Sequence, residues 1–378
     1  LGLVTTPMYY YAWDKLNIHA GIMITASHNP KEYNGFKLCD SNGSMYGDKI
    51  KDFLNLILSN NFKDGIGHVS TYDLTFDYKK MIINKITLGP RKIKAVVDCG
   101  NGTTSIVAHD IFKSNEYIEY IPLFDESDGT FPNHHPDPAV EGNLKQLKEK
   151  VLEVKADCGI AFDGDGDRVG VIDNNGHYIP IDKFMIIIWR DIYNKVTKKE
   201  GFFDVKCSKA LKDELTRLGI KPIETRTGNS YTKKISFESN YPFGGEMSGH
   251  LYFRDKFIGN DDGIYAGLRL VELLSRTNKK CNELLDNIPI YYSTDENKIP
   301  VEDSLKDSIV SRVEEYCKDK NYNYITIDGV KVLYDDGFAL VRKSNTTPNI
   351  TTRYEAKTKE RLEEITKEYN TLLDKLSK

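Results

Sequence analysis

The sequence predicts an α/β protein built from three successive α/β units and a C-terminal α+β unit. Up to residue 286, short apolar runs that end in turn residues alternate with helical patterns, as in strands covered by helices. After it, one helical pattern precedes four strand-like runs and a last helix, which is typical of an α+β domain. The predicted domains span residues 1–72, 73–177, 178–288 and 289–378.

The first unit centres on the apolar run Gly21–Ile24 and the polar turn Thr25–Pro30 that follows it. The run predicts a buried strand, and Pro30 disfavours a helical conformation at Asn29. Ser27 then lies at the carboxyl end of a strand, where a hydroxyl suits a nucleophile or phosphoryl carrier. A capping or turn serine is the alternative. The other elements predicted in this unit are a strand entering a turn at Leu1–Pro7 and helices at 47–60 and 72–86.

The second unit contains two segments that resemble ligand sites only in outline. The glycine turn Gly100–Thr104 lacks the P-loop lysine and the G-x-G-x-x-G spacing, so we interpret it as structural. His134 and His135 have no Cys or carboxylate at ligand spacing, which predicts a rigid surface loop and no metal site. The strands predicted here are Ile93–Val97, Tyr117–Leu123, Cys158–Phe162 and Val169–Asp173, and the last unit is predicted to contain the helix Val301–Lys320 and the strand Tyr324–Asp328.

The loop Asp163-Gly-Asp165-Gly-Asp167-Arg168 is the most specific chemical signal in the chain. Three carboxylates on alternate residues can converge on one cation, since glycine permits the dihedral angles that such a turn needs. Without a cation, two unit charges about 4 Å apart repel by about 4 kcal/mol at an effective dielectric constant of 20. Oxygen ligands favour Mg²⁺ or Ca²⁺ over Zn²⁺. An EF-hand is excluded because Arg168 and Asn174 replace its glycine and its acidic residue; a solvated acidic turn is the alternative.

Two later loops carry polar groups in short turns. The segment Arg342–Pro348 combines a guanidinium, hydroxyls, an amide and backbone N–H groups, which are the donors that a phosphate needs. Glu246, Ser248 and His250 lie on a glycine-rich turn and can pair with sugar hydroxyls. An ordinary polar turn is the alternative for each loop.

The composition excludes several classes of function. A formal net charge of −4 and a pI of about 6.1 argue against a general nucleic-acid-binding protein, which needs a basic surface. No apolar run approaches the roughly 20 residues that span a bilayer, so no membrane contact is predicted. Six scattered cysteines without a C-x-x-C pair predict buried free thiols and a cytoplasmic location. The sequence does not indicate an oligomeric state.

Taken together, the four loops resemble those of the α-D-phosphohexomutase family. The resemblance covers the chain nearly end to end. The loop Thr25–Pro30 is similar to the family's phosphoserine loop, and Asp163–Arg168 to its magnesium loop. The loop Gly245–His250 is similar to its sugar-recognition loop, and Arg342–Pro348 to its phosphate-binding loop. Glu-Met-Ser-Gly-His and Ser-Asn-Thr-Thr-Pro resemble the dual phosphomannomutase/phosphoglucomutase branch most. Phosphoglucosamine mutases, with Glu-Gln-Ser-Gly-His and Ser-Gly-Thr-Glu-Pro, are the alternative.

The resemblance implies a fold, a reaction and cofactors. It implies three similar α/β domains with mixed sheets and flanking helices, and a C-terminal α+β domain, around a central active-site cleft. Ser27 would carry a phosphoryl group and complete a Mg²⁺ site with Asp163, Asp165 and Asp167. Hexose 1-phosphate and hexose 6-phosphate, of mannose or glucose, would interconvert through a hexose 1,6-bisphosphate, which would also serve as activator.

The resemblance also implies roles for individual side chains. His28, Lys37 and Arg168 would support proton transfer or charge in catalysis. The residues implied in substrate binding are Lys206, Glu246, Ser248, His250, Arg342, Ser344, Asn345 and Thr346.

Two departures from the family pattern bear on activity. Asn229 follows Thr227-Gly228 where the family has His, and Asn cannot act as an acid or base. Only 26 residues precede Ser27, whereas the family's first domain begins with a strand, a loop with an active-site Arg, and a helix. We therefore expect an N-terminally truncated first domain and reduced activity. A sugar-phosphate-binding relic without catalysis and a Mg²⁺-dependent phosphatase are further alternatives.

Overall fold

The computed structural model describes residues 1–344 and 347–376. The chain forms two compact units. Unit 1 consists of Leu1–Lys198 and Asn229–Asp286, and unit 2 consists of Lys199–Gly228 and Asn287–Lys378.

The helices and strands follow one another in this order as far as the second sheet: α1 (Thr6–Lys15), β1 (Ala20–Ile24), β2 (Phe36–Asp40), β3 (Gly43–Ser44), α2 (Asp48–Ser59), α3 (Thr75–Ile83), β4 (Ile93–Asp98), α4 (Ser105–Phe112), β5 (Ile118–Leu123), α5 (Lys145–Val154), β6 (Cys158–Phe162), β7 (Val169–Asp173) and β8 (Tyr178–Ile179). The chain continues with α6 (Ile181–Ile192), β9 (Glu200–Asp204), α7 (Lys209–Arg217), β10 (Lys221–Thr225), α8 (Asn229–Ser239), β11 (Phe243–Gly245), β12 (Leu251–Phe253) and α9 (Gly263–Ser275). It ends with β13 (Tyr292–Ser293), β14 (Asn297–Pro300), α10 (Lys306–Asp319), β15 (Tyr324–Ile325), β16 (Val330–Tyr334), β17 (Gly337–Lys343), β18 (Asn349–Ala356) and α11 (Lys359–Leu376).

The amino-terminal segment forms no strand before Ala20 and is helical from Thr6, so the predicted strand over Leu1–Pro7 is wrong. The Thr5 side chain accepts a hydrogen bond from the Met8 N–H at 3.1 Å and caps α1. Pro7 lies in the first turn, where a helix does not need its missing N–H.

Strand β1 forms, but the prediction that it is buried is wrong. Strands β1, β2 and β3 make a three-stranded antiparallel sheet with β1 at its edge. Gly21 lies against the Tyr9 ring of α1, and Met23 is buried. Ile22 and Ile24 are 59% and 62% exposed, because alternate residues of a strand point to opposite faces and only one face is covered.

The second sheet is the buried scaffold of unit 1. Its order is β5-β4-β6-β7-β8, with β4, β5 and β6 parallel and β7 and β8 antiparallel. Every residue of β6 and β7 is buried, which agrees with their near-continuous apolar sequences. The predicted strands at 93–97, 158–162 and 169–173 are confirmed. The β6–β7 connection therefore begins at the carboxyl end of a fully buried inner strand of this sheet.

The His134 side chain is largely buried, whereas the sequence predicts that it lies in a surface loop. Its side chain is only 9% exposed, and Nε2 lies 3.0 Å from Asp98 Oδ2. Although burial opposes protonation, the Asp98 carboxylate raises the pKa of His134. A fully buried carboxylate at the end of β4 needs a donor, and His134 provides it.

Unit 2 contains an antiparallel sheet covered by α10 and α11. Its order is β13-β18-β17-β16-β15, and β14 also pairs with β18. Ile309, Val313, Ile365 and Tyr369 pack against the sheet in one apolar core. The predicted helix over 301–320 begins later, at Lys306, after a 3₁₀ turn at Asp303–Leu305. The predicted strand 324–328 is reduced to two residues.

Candidate functional site

The three aspartates of the β6–β7 loop converge in the structure. Asp163, Asp165 and Asp167 are 0%, 2% and 0% exposed, and one ligand atom of each lies within 4.8 Å of the others. Gly166 has φ +81°, a conformation that residues with a Cβ rarely adopt. The turn thus depends on glycine to direct three carboxylates to one point.

Lys37 of β2 supplies positive charge to this cluster. Its Nζ lies 2.7 Å from Asp165 Oδ2 and 2.5 Å from Asp167 Oδ2. Although burial opposes the charged form, Asp165 and Asp167 raise the pKa of Lys37. Burial and the neighbouring carboxylates raise the pKa of Asp163 well above its ordinary value. The three carboxylates therefore repel one another, and this repulsion opposes ionisation of Asp163.

The donor set fits a divalent metal cofactor. The Oδ1 atoms of Asp165 and Asp167 are buried and accept no hydrogen bond from the part of the chain that the structure describes. Buried carboxylate oxygens of this kind need a cation or a donor. All three side chains offer hard oxygen ligands. The residues present would therefore hold a divalent metal.

Ser27 lies against this cluster in a strained turn. Its φ is +54°, which is uncommon for a residue other than glycine. Its backbone N–H donates to Thr25 Oγ1 at 2.8 Å, and its Oγ donates to Asp163 Oδ2 at 2.9 Å. The two loops approach closely, because a Cβ added to Gly164 would lie 2.4 Å from the Ser27 carbonyl oxygen. Backbone strain of this kind is common at active sites.

Arg168 and His28 complete the surroundings of Ser27. His28 Nδ1 lies 3.1 Å from Ser27 Oγ, and His28 Nε2 lies 3.4 Å from Arg168 Nη1. Burial and the Arg168 charge lower the pKa of His28 to about 4. Arg168 Nε donates to His250 Nε2 at 3.0 Å and lies 3.7 Å from Asp163 Oδ2. At neutral pH, His28 is therefore uncharged beside the Ser27 hydroxyl.

The β11–β12 hairpin provides the other predicted residues of unit 1. Glu246 is 1% exposed and accepts a hydrogen bond from Thr232 Oγ1 at 3.1 Å. Ser248 is half-buried in the turn, and His250 enters the Arg168 contact described above. Unit 1 thus brings eight predicted residues into one network: Ser27, His28, Lys37, Asp163, Asp165, Asp167, Arg168 and His250.

Two further residues contact this network although the sequence does not predict them. Asp261 Oδ2 lies 2.9 Å from His250 Nδ1 and accepts from Asn229 Nδ2 at 2.5 Å. Lys233 Nζ lies 2.8 Å from Asp261 Oδ1. In the sequence, Asp261 belongs to a glycine-rich turn and Lys233 to a helix. The paired acidic residues Asp261–Asp262 before an apolar helix are the one signal that points to this position.

Unit 2 contains the predicted anion-binding residues. Lys206 Nζ lies 3.3 Å from Glu296 Oε2 and 3.9 Å from Asp204 Oδ2. Arg342 is 5% exposed and its Nε donates to Asp328 Oδ2 at 2.9 Å. Ser344 Oγ lies 2.8 Å from the Thr347 hydroxyl. Asn345 and Thr346 lie outside the described residues.

Thr227 bonds to the carboxylates that lie beside Lys206 and Arg342, the two cations of unit 2 that are predicted to bind substrate. Its N–H donates to Asp328 at 3.1 Å, and its hydroxyl donates to Asp204 at 3.4 Å. Asp328 holds Arg342, and Asp204 faces Lys206. Thr227 therefore links the carboxylates beside both predicted substrate-binding cations.

No helix within residues 1–344 and 347–376 is long and apolar enough to cross a membrane. All six cysteines are buried thiols, as predicted, and the structure forms no disulfide among them.

Four family models match the chain in sequence order. All four describe phosphoglucomutase/phosphomannomutase domains: α/β/α domain I matches residues 1–63, domain II 76–176 and domain III 180–292, and the C-terminal domain matches 296–371. Together they cover most of the chain.

Relatives and a solved structure agree with these models. A phosphomannomutase/phosphoglucomutase from Pseudomonas syringae pv. tomato is 40% identical over 377 residues, which are 100% of this chain and 81% of the relative. A probable phosphoglucosamine mutase from Methanothermobacter thermautotrophicus is 36% identical over 96% of this chain and 80% of that protein, so this alternative is less supported. A phosphoglucomutase/phosphomannomutase family protein from Burkholderia thailandensis matches with a TM-score of 0.91 and 35% identity over 99% of this chain and 81% of that one. The chain therefore belongs to the phosphoglucomutase/phosphomannomutase family, in the dual branch of the α-D-phosphohexomutases, and is an intramolecular phosphotransferase.

Proposed function

We propose that the chain interconverts hexose 1-phosphate and hexose 6-phosphate, of mannose or glucose, through a phosphoserine at Ser27. The observation that carries this proposal is the position of Ser27 Oγ, 2.9 Å from Asp163 and 3.1 Å from the neutral His28. Phosphoryl transfer depends mainly on positioning and on stabilising charge, and this hydroxyl has both a base and a charged cluster beside it.

Individual side chains have separate roles in the phosphoryl transfer. The P–O bond to Ser27 Oγ breaks while a P–O bond to the free sugar hydroxyl forms, and the proton of that hydroxyl passes through His28 to the leaving Ser27 oxygen. When the other phosphate returns to Ser27, the Ser27 proton passes back through His28 to the departing sugar oxygen. Lys37 and Arg168 balance negative charge around the transferred group. Mg²⁺, held by Ser27, Asp163, Asp165 and Asp167, would neutralise part of the phosphoryl charge.

The remaining predicted residues are assigned to substrate recognition. We propose that Glu246, Ser248 and His250 bind sugar hydroxyls. The phosphate that does not react would be bound by Lys206, Arg342, Ser344, Asn345 and Thr346. A hexose 1,6-bisphosphate is then the intermediate and the activator, since either of its phosphates can return to Ser27. We also propose domain boundaries near residues 72, 177 and 288, which lie close to the limits of the four family models.

A coupled assay tests the function. The purified chain is given mannose 1-phosphate, glucose 1-phosphate or glucosamine 6-phosphate with Mg²⁺ and catalytic hexose 1,6-bisphosphate. We expect the hexose 6-phosphate from the first two substrates. Release of free phosphate would indicate a phosphatase, binding without turnover a sugar-phosphate-binding protein, and preference for the aminosugar the phosphoglucosamine branch. Any of these three outcomes contradicts the proposal.

Arg342→Lys should weaken substrate binding without slowing the chemistry much. Lysine keeps the charge but loses the planar fork that binds two phosphate oxygens. We expect KM to rise about tenfold, which corresponds to about 1.4 kcal/mol, with kcat within about threefold. Arg312→Ala on the exposed surface of α10 is the control. An unchanged KM for Arg342→Lys would remove Arg342 from the phosphate site.

A further inference from the structure

We propose that Asp261 and Lys233 are positioning residues for the reaction, which orient His250 and, through it, the guanidinium of Arg168 beside Ser27. This inference rests on the proposed mutase function. The two residues lie on the opposite side of the His250 ring from Arg168: His250 Nε2 faces Arg168 Nε at 3.0 Å, and His250 Nδ1 faces Asp261 at 2.9 Å.

Asp261 lies in a fully buried, polar environment. This carboxylate is 0% exposed, and donors from two different segments converge on it. Oδ2 receives Asn229 Nδ2 at 2.5 Å and lies 2.9 Å from His250 Nδ1, and Oδ1 lies 2.8 Å from Lys233 Nζ. The turn before α9, the start of α8 and the β11–β12 hairpin thus meet at one carboxylate.

The contacts of the His250 ring determine its tautomer. An ionised carboxylate only accepts hydrogen bonds, so the proton of the ring lies on Nδ1 beside Asp261. Nε2 is then an acceptor, and Arg168 Nε donates to it at 3.0 Å. The same guanidinium lies 3.4 Å from His28 Nε2 and 3.7 Å from Asp163 Oδ2. Asp261 therefore determines which atom of the His250 ring receives Arg168.

Lys233 balances the charge of Asp261 behind the His250 ring. Lys233 is 5% exposed, and its Nζ also lies 3.0 Å from the centre of the Tyr10 ring. Although burial favours the neutral acid, Lys233 and His250 keep the pKa of Asp261 below its ordinary value. Without Lys233, Asp261 would add a further negative charge near Asp167, which lies 3.4 Å from His250 Nδ1. Lys233 thus keeps Asp261 available as an anionic acceptor.

The departure at Asn229 fits this arrangement. Its amide donates to Asp261 Oδ2, so the position keeps a hydrogen-bond donor although it lacks an imidazole. The same amide nitrogen lies 3.0 Å from His250 Nδ1, so Asn229 contacts both the carboxylate and the ring.

Asp261→Asn and Asp262→Asn form a matched pair for the test. Both side chains are buried, but Asp262 caps α9 through the Tyr265 N–H at 2.9 Å and accepts from the Tyr78 hydroxyl at 2.8 Å. We expect Asp261→Asn to lower kcat about 10- to 100-fold, as loss of an orienting partner does elsewhere, with KM within about threefold. We expect Asp262→Asn to lower Tm and to leave kcat of the folded protein within about twofold.

A double variant separates positioning from charge balance. Lys233→Met combined with Asp261→Asn removes both buried charges, so its Tm should approach that of the unaltered chain. We expect its kcat to stay as low as that of Asp261→Asn, because nothing then fixes the His250 ring. Recovery of kcat in the double variant, or an unchanged kcat in Asp261→Asn, would overturn the proposal.

A measurement on the imidazole keeps this result separate from the proposed function. Nitrogen-15 spectra, assigned by comparison with His250→Gln, report which ring nitrogen carries the proton. We expect a protonated Nδ1 in the unaltered chain and a changed or mixed tautomer in Asp261→Asn. A protonated Nε2 in the unaltered chain would refute the positioning role even if the chain has full mutase activity. If the chain lacks mutase activity, the proposed function fails while this spectrum still decides the alignment.

Discussion

Ser27→Ala is expected to abolish mutase turnover, with a loss of roughly 10³-fold or more, as expected when a covalent carrier is removed. The variant keeps Thr25, Asp163 and Lys37 in place, so substrate should still bind. The loss should therefore appear in kcat. Intact mass provides the second measurement: the unaltered chain incubated with hexose 1,6-bisphosphate should gain one phosphoryl group, and Ser27→Ala should not.

The control for this experiment is Ser59→Ala. Ser59 is an exposed residue at the end of α2 whose hydroxyl donates to a backbone carbonyl, so its removal should leave turnover and the mass adduct unchanged. Retention of the phosphoryl adduct in Ser27→Ala would assign the carrier to another residue. Retention of turnover without an adduct would contradict a phosphoserine mechanism altogether.

The sequence predicts the loops of the site better than it predicts their partners. Asp163, Asp165 and Asp167 are separated only by glycine, so their convergence follows from a local pattern. Ser27 follows a short apolar run and is predicted at a strand end for the same reason. The contacts of Lys37 with these aspartates join segments more than 120 residues apart, as the sequence separations of 128 and 130 show. Local periodicity carries no information about such distances.

The errors in the fold have the same origin. The apolar run of β1 predicts a strand correctly, but burial depends on which elements cover each face, and Ile22 and Ile24 are exposed. Helix α1 is missed because Met8, Tyr9 and Tyr10 are consecutive apolar residues, all buried, so they show no helical period. Asp261 is missed because its three donors come from α8 and from the β11–β12 hairpin, which no local sequence pattern links to it.

Asp163→Asn should abolish the stabilisation that Mg²⁺ gives to the unaltered chain. If the three carboxylates hold the ion, Mg²⁺ at about 100 times its Kd adds about 2.7 kcal/mol of stability, which corresponds to a rise in Tm of roughly 5 °C in a unit of this size. Asn keeps the shape of the side chain and can accept from the Gly166 and Arg168 N–H groups that now bond to Asp163 Oδ1. It removes one of the three ligand charges, so we expect the rise in Tm to vanish and kcat to fall about 10²-fold or more.

The Tm of metal-free Asp163→Asn also distinguishes a metal site from an acidic turn. Burial of three neighbouring carboxylates is unfavourable, and Lys37 compensates only part of their charge. Neutralising Asp163 should therefore leave Tm of the metal-free protein unchanged or slightly higher. Asp98→Asn is the matched control, since Asp98 is equally buried but paired with His134: it should lower Tm and keep the full response to Mg²⁺. A preserved Mg²⁺ response in Asp163→Asn would show that the ion binds elsewhere, because a loop that uses all three carboxylates cannot lose one and retain its affinity.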